Sequence, residues 1–70
     1  MNGVAKKATS VWIARLKSLR EFYGLDQAEA ASRINAPLGT WRNWEQGRRV
    51  PSPMIVKLLE LAFPEFFKKK

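Results

Sequence analysis

Apolar residues recur every three or four positions along most of the chain, which is the spacing of one face of an α-helix. The first such stretch runs from Val11 to Tyr23, with Thr9 or Ser10 placed to cap its start and Gly24 placed to end it. We expect the apolar stripe of this helix to lie in the core. Trp12 stands near the end of the stripe, so we expect it to be partly exposed.

The second predicted helix is short. Asp26 followed by Glu29 has the spacing of a capping box, in which Asp takes the capping position, so we expect a helix from Gln27 to Ile34. Its small alanine side chains would let it pack close to its neighbours. Asn35 is expected to end it, because asparagine is second only to glycine in adopting a positive φ angle.

A third helix is predicted from Leu38 to Gln46, directly after Pro37, whose fixed φ angle suits a helix start. Trp41 and Trp44 are three residues apart, so they share one side of the helix, and residues of this size are expected to be buried. Gly47 is expected to end the helix. A basic loop follows.

A fourth helix is predicted to begin at Pro53, with Ser52 as its cap. Pro64 either ends this helix or opens a last turn. Its apolar residues are expected to form one face, which consists of Met54, Ile55, Leu58, Leu59, Leu61 and Ala62.

The predicted fold is therefore all-α, a small orthogonal bundle of four or five helices without a strand. We expect a flexible arm at residues 1–9, a single domain at residues 10–67 and a basic tail at residues 68–70. Two readings of Lys6 and Lys7 stay open: they belong to a solvated arm, or they contact the phosphates or minor groove of DNA.

Composition narrows the class of protein. Among the 70 residues there are 13 Lys and Arg and 6 Asp and Glu, and the formal net charge of +7 favours a polyanionic partner, either nucleic acid or an anionic membrane surface. Cysteine and histidine are absent from the sequence, so we expect neither an enzyme nor a metal or cofactor site. No apolar run has the length of a membrane span or a signal peptide, so the expected compartment is the cytoplasm.

The segment from Leu19 to Pro51 carries a characteristic set of residues: Leu19, Arg20, Gly24, Leu25, Gln27, Ala31, Ile34, Thr40, Trp44, Glu45, Gly47 and Pro51. With this pattern the segment resembles the lambda-repressor-like helix-turn-helix family, also described as the Cro type or xenobiotic-response-element type. The resemblance implies a sequence-specific regulator, encoded by a bacterium or a phage, whose third helix enters the major groove of double-stranded DNA. The resemblance covers about half of the chain.

The resemblance also assigns roles to single residues. The expected base-reading residues are Leu38, Gly39, Arg42 and Asn43: Asn43 suits adenine, Arg42 suits guanine, and Leu38 suits a thymine methyl group. Gly39 has no side chain, so it either allows the helix to approach the DNA closely or reads no base. Phosphate contacts are expected from Gln27, Thr40, Gln46, Arg48, Arg49 and Lys17.

Arg20 and Glu45 resemble a family pair that forms an internal ion pair between helices one and three, and we prefer this structural role to DNA contact. Two positions depart from the family pattern. Pro37 replaces the usual Ser or Thr cap, and Trp41 replaces a smaller aliphatic residue.

One recognition helix reads only a few base pairs, so the leading hypothesis is a homodimer on a palindromic site. Phe63, Phe66 and Phe67 are the candidate dimer surface, although they would equally well complete a thin core. The finer roles that stay open are a phage Cro-like repressor, a host regulator and an antitoxin. The alternative is a protein-interaction module, such as the partner of a toxin; the apolar segment before the lysine tail is too short to favour a membrane.

Overall fold

A computed structural model describes the backbone of residues 2–68 and the side chains of residues 9–68. Within this range the chain forms five α-helices and no strand. They are α1 (Asn2–Tyr23), α2 (Gln27–Arg33), α3 (Leu38–Glu45), α4 (Pro53–Ala62) and α5 (Pro64–Phe67). The predicted all-α fold class is confirmed, in its five-helix form.

Local signals set the boundaries of α1 and α2. The Asp26 carboxylate accepts a hydrogen bond from the N–H of Glu29 at 2.7 Å, and the Glu29 carboxylate accepts one from the N–H of Asp26 at 2.9 Å. The predicted capping box is therefore confirmed. Gly24 and Asn35 have φ angles of 69° and 57°, the left-handed conformation expected at both positions.

The helices α3 and α4 begin in different ways. Pro37 is the residue before α3, with φ −64° and ψ 148°, and no side chain caps this start. Ser52 caps α4, because its hydroxyl accepts a hydrogen bond from the N–H of Ile55 at 3.3 Å. Proline thus fixes the entry angle of α3 without supplying a side-chain acceptor.

The start of α1 differs from the prediction. The sequence pattern places it after Ser10, whereas the structure begins the helix at Asn2. Apolar periodicity cannot detect this extension, but its alanines and lysines are strong helix formers and no proline interrupts it. The segment assigned to a flexible arm therefore continues α1. The side chains of Lys6 and Lys7 lie outside the described residues, as do Lys69 and Lys70 of the tail.

The core is built from all of the first four helices and the residue that follows α4. Leu16 and Leu19 of α1 are fully buried, and Ala30 and Ala31 of α2 are buried beside α3. The buried apolar residues are Leu16, Leu19, Ala30, Ala31, Ile34, Trp41, Trp44, Leu59 and Phe63. The predicted burial of both α3 tryptophans is thus confirmed.

Phe63 is the clearest correction among the candidate interface residues. It is fully buried, so it cannot belong to a dimer surface. The reason is its position four residues after Leu59, which prolongs the core-facing side of α4. Phe66 and Phe67 are partly buried and pack against the core, and the Phe66 N–H donates to the Tyr23 hydroxyl at 3.1 Å.

Other residues of the predicted apolar sides of α1 and α4 are exposed. On α1, Val11 and Phe22 keep 50% and 59% of their surface in solvent. On α4, Met54 and Leu61 are even more exposed, and Leu58 is partly exposed. The apolar arc of each helix is wider than the surface that a core of this size covers.

Candidate nucleic-acid interface

The helix α3 has one buried side and one solvent side. Trp41, Trp44 and Glu45 are buried, with exposed fractions of 0%, 4% and 5%. Thr40 and Asn43 are half-buried at the edge. The exposed residues of α3 and of its C-terminal end are Leu38, Gly39, Arg42 and Gln46. The side of α3 that sequence periodicity assigned to a partner is therefore mostly exposed, and only Asn43 at its edge is partly covered.

One buried carboxylate connects three helices. Glu45 of α3 accepts two hydrogen bonds from the Arg20 guanidinium of α1, Nε to Oε2 at 2.6 Å and NH2 to Oε1 at 2.9 Å. The Trp41 indole Nε1 donates to Oε2 at 2.6 Å, and the Gln27 amide Nε2 from α2 donates to Oε1 at 3.1 Å. Glu45 thereby fixes the orientation of α3 relative to α1 and α2.

The electrostatics of this cluster favour its charged form. Burial by itself would raise the pKa of Glu45, but the hydrogen bonds from Arg20, Trp41 and Gln27 together lower the pKa below its ordinary value. The hydrogen bond to Glu45 raises the pKa of Arg20 in turn. The side chain of Glu45 is 2% exposed and that of Arg20 is 23% exposed, so the pair is mostly shielded from solvent.

The basic loop is attached to the end of α3. Gly47 has a φ angle of 80°, which reverses the chain after the helix. The N–H of Arg48 then donates to the Asn43 carbonyl at 2.9 Å, and the N–H of Arg49 points at the same oxygen at 3.4 Å. Both arginine side chains are exposed. This turn holds two cations next to the last turn of the helix.

Several predicted contact residues meet at one shallow groove. Thr40 and Asn43 of α3 line it together with Arg49 of the loop and Ser52 at the start of α4. The predicted base-reading edge of α3 thus borders a predicted phosphate-contacting arginine.

The remaining predicted phosphate contacts lie on other elements. Lys17 is exposed on α1. Gln27 is the first residue of α2 and half-buried, and one of its amide hydrogens is used in the bond to Glu45. The structure therefore distributes the six predicted phosphate contacts over three helices and one loop.

Positive charge at this surface is not neutralised by any carboxylate among the described residues. Among the residues that the structure describes, Arg20 and Glu45 form the only ion pair. Arg42, Arg48 and Arg49 are exposed, and no carboxylate of residues 9–68 lies within ion-pair distance of them. They are available to an anionic partner.

Sequence reasoning missed two donors of the Glu45 cluster. The sequence predicts core packing for Trp41, with base stacking as a minor alternative. A residue four positions before Glu45 nevertheless lies on the same side of the helix, which is a signal that the two side chains pair. Gln27 was assigned to phosphate alone. Its bond to Glu45 depends on how α2 crosses α3, for which the sequence carries no local signal.

The fold and this surface define the class of protein: a helical domain that presents one side of a short helix beside an arginine-bearing loop, as helix-turn-helix DNA-binding proteins do. A family model described as a helix-turn-helix domain matches residues 14–61, and the chain belongs to that family. The resemblance identified from the sequence is confirmed. No curated protein and no solved structure matches the chain significantly.

Family membership makes the protein a DNA-binding regulator in general, and proteins of this kind are typically not enzymes. Within the described residues, no helix is both long and apolar enough to cross a membrane. The described acidic side chains also contain no group of three or more that could hold a metal ion.

Proposed function

We propose that the protein is a sequence-specific transcriptional regulator that binds double-stranded DNA with α3 in the major groove. The observation that supports this most directly is the solvent side of α3, with exposed Arg42 and half-buried Asn43 at its edge, continued by Arg48 and Arg49 of the loop. The Glu45 cluster holds this side in a fixed orientation, which sequence recognition requires.

Base reading is assigned to the exposed side of α3. Arg42 is exposed and has the fork geometry that pairs with guanine O6 and N7, and Asn43 has the amide that pairs with adenine N6 and N7. Leu38, which is 36% exposed, suits a thymine methyl group. Gly39 leaves open space where a side chain would stand, so the helix backbone there can approach the base edges.

Backbone binding is assigned to the surrounding polar and basic residues. Arg48 and Arg49 contribute charge from the loop, and Lys17 contributes a cation from α1. Thr40 of α3 and Gln46, the residue after α3, contribute hydrogen-bond donors. Gln27 retains one amide hydrogen beyond the bond to Glu45, and it stands at the N-terminal end of α2, where backbone N–H groups favour a phosphate. These contacts give affinity and register without reading sequence.

We further propose that two copies bind a palindromic operator and repress by occupying it, in the cytoplasm of a bacterium or of a phage-infected cell. One α3 presents only four candidate base-reading positions, which is too few for a unique site. A two-fold symmetric pair doubles the sequence that is read. A phage Cro-like repressor and an antitoxin both fit this description.

Selection of bound duplexes from a random DNA pool tests the proposal. We expect enrichment of a palindrome with two half-sites about one helical turn apart. Binding that shows no sequence enrichment at low salt would overturn the proposal and would favour a module that binds protein.

Two variants separate base reading from backbone binding. Asn43→Ala should relax the sequence preference at one position of each half-site, because its amide is assigned to one base. Arg48→Ala should weaken binding to every duplex about equally, because its charge is assigned to phosphate. Repeating the selection with both variants measures the difference. The assignments are wrong if both variants change the consensus, or if neither does.

A further inference from the structure

Trp41 supplies a hydrogen bond to the Glu45 cluster from within α3 itself. Its side chain is fully buried, and its indole Nε1 donates to Glu45 Oε2 at 2.6 Å. At this position the family pattern described above has a smaller aliphatic residue, which offers no donor. The bond is therefore a feature of this chain and not of the pattern that the chain otherwise follows.

We propose that Trp41 is a positioning residue for base recognition. Its indole N–H fixes the Glu45 carboxylate relative to α3, and it thereby sets the angle at which α3 presents Arg42 and Asn43 to the bases. This inference rests on the proposed function, to which it adds a residue that is buried and touches no DNA. The competing role is packing alone, which requires only the shape of the ring.

The bond has a particular effect because the other donors to Glu45 come from other helices. Oε2 accepts from Arg20 Nε and Trp41 Nε1, and Oε1 accepts from Arg20 NH2 and Gln27 Nε2. Arg20 and Gln27 belong to α1 and α2. Rotation about the bonds of the Glu45 side chain would let these two residues hold the carboxylate while α3 turned. Trp41, four residues earlier, ties the carboxylate to its own helix.

Solvent cannot readily replace the Trp41 donor. The side chain of Glu45 is 2% exposed, so water has little access to its oxygens. A buried acceptor that loses a donor keeps the cost of its desolvation without the compensating bond. Removing the indole N–H should therefore loosen the cluster, even where a ring of the same shape still fills the core.

A helix as short as α3 depends on its tertiary contacts for its orientation. It has 8 residues, and no side chain caps its start. Trp41 lies on its buried side directly before Arg42 and Asn43, to which the proposed function assigns base reading. A rotation of α3 displaces both of these side chains. A bidentate contact with a base edge needs both of its hydrogen bonds at once, so it tolerates only about 0.5 Å and 10–20° of error.

An isosteric analogue separates the bond from the packing. In β-(3-benzothienyl)alanine a sulfur atom replaces the indole N–H and the two fused rings remain, and a chain of 70 residues is accessible to chemical synthesis. The analogue would replace Trp41 in one protein and Trp44 in the matched control. Trp44 is 4% exposed on the same helix, its ring centroid is 5.7 Å from that of Trp41, and it is not among the donors to Glu45.

The two analogues should differ in specific binding. At position 41 we expect affinity for the selected duplex to fall on the order of 10-fold, comparable with one lost base contact. Affinity for an unrelated duplex should stay unchanged, because phosphate contacts carry no sequence information. At position 44 neither affinity should change. Fluorescence anisotropy with both duplexes measures the ratio of specific to unrelated affinity, and urea titration of each protein shows that it is folded in the assay.

Hydrogen exchange in the unaltered chain tests the bond without any replacement. The chain has 3 tryptophans, and NMR resolves their indole N–H groups. We expect the Trp41 N–H to exchange at least about 10-fold more slowly than that of half-buried Trp12, both in the free protein and on the selected duplex. Equal rates on the duplex would overturn the positioning role, because the bond would then be absent where bases are read.

The outcomes separate the positioning role from the function. If the unaltered chain selects no duplex, the proposed function fails, and a role in base reading fails with it. If a duplex is selected and the analogue at position 41 leaves the affinity ratio unchanged, the function stands and the positioning role is overturned. An equal loss of affinity for both duplexes would also overturn it, because packing alone would then explain the burial of Trp41.

Discussion

Gly47 is the single residue on which the geometry after α3 depends most clearly. Its φ angle of 80° lies in the region that side chains rarely adopt, and an added Cβ would stand 3.0 Å from Ile13 Cδ1 and 3.1 Å from Thr9 Cγ2. Gly47→Ala should therefore lower the free energy of unfolding, by about 1–2 kcal/mol. Urea titration followed by tryptophan fluorescence measures the change.

Gly39→Ala is the matched control. Gly39 lies inside α3, and an added Cβ there meets no atom within 4 Å. Alanine should raise the free energy of unfolding by about 0.5–1 kcal/mol, because it restricts the unfolded chain and suits a helix. The account of Gly47 would be wrong if both variants shifted stability in the same direction.

The same Gly39→Ala variant makes a second prediction at the residue scale. If the start of α3 approaches base edges closely, the new methyl group should weaken specific DNA binding on the order of 10-fold, equivalent to one lost base contact. Stability and affinity should then change in opposite directions. Fluorescence anisotropy with the selected duplex measures the affinity, and unchanged affinity would show that Gly39 reads nothing.

At the scale of the elements, Glu45 is the group that joins α1, α2 and α3. Glu45→Gln keeps the shape but replaces one acceptor oxygen with a donor that faces other donors, and it leaves Arg20 without its partner. We expect the free energy of unfolding to fall by about 3 kcal/mol. Glu60→Gln, on an exposed part of α4, is the control and should change stability by less than about 0.5 kcal/mol.

The contribution of Glu45 should also depend on pH. Its pKa is below the ordinary value of 4.5 in the folded protein, so the native state holds its charged form more strongly than the unfolded chain does. The resulting stability is complete above about pH 5 and is lost as the pH falls through the lowered pKa. The difference in unfolding free energy between wild type and Glu45→Gln should therefore shrink in acid. A constant difference from pH 7 to pH 3 would contradict the charged role.

Helix existence and most boundaries could be predicted from sequence because the signals are local. Asp26 with Glu29, Ser52 before Pro53, and the two positive-φ residues Gly24 and Asn35 each act within a few positions of themselves. The helical continuation of α1 towards Asn2 escaped prediction, since it lacks an apolar stripe and its composition is suited to helix and solvated arm alike.

Burial on α4 was harder to predict because it depends on tertiary crossing. Periodicity identifies an apolar arc, but it does not say which part of the arc meets the core. The structure buries Leu59 and Phe63 and leaves Met54 and Leu61 in solvent. The candidate site could likewise be predicted only in part. The exposed side of α3 followed from its period, whereas the bond of Gln27 to Glu45 required the crossing of α2 and α3.

At the scale of the whole molecule, a +7 chain with a small core should bind DNA with strong salt dependence. Each phosphate contact contributes about −0.9 to the slope of log affinity against log salt concentration. The double variant R48A/R49A removes two exposed loop cations, so its slope should be less steep by about 2. Affinity should fall for specific and unrelated duplexes alike, since these residues are assigned to backbone.

Arg33→Ala is the control for that salt titration, because Arg33 is an exposed cation at the end of α2 that is not assigned to DNA. It lowers the net charge by one without removing a proposed contact, so its slope should stay within about 0.5 of wild type, well under the −0.9 expected per phosphate contact. If the salt slope changes equally per removed charge in R48A/R49A and in Arg33→Ala, the net charge of the protein, rather than contacts of the loop, attracts DNA. A larger change per charge for R48A/R49A would place the loop after α3 against the phosphates, as its attachment to the Asn43 carbonyl predicts.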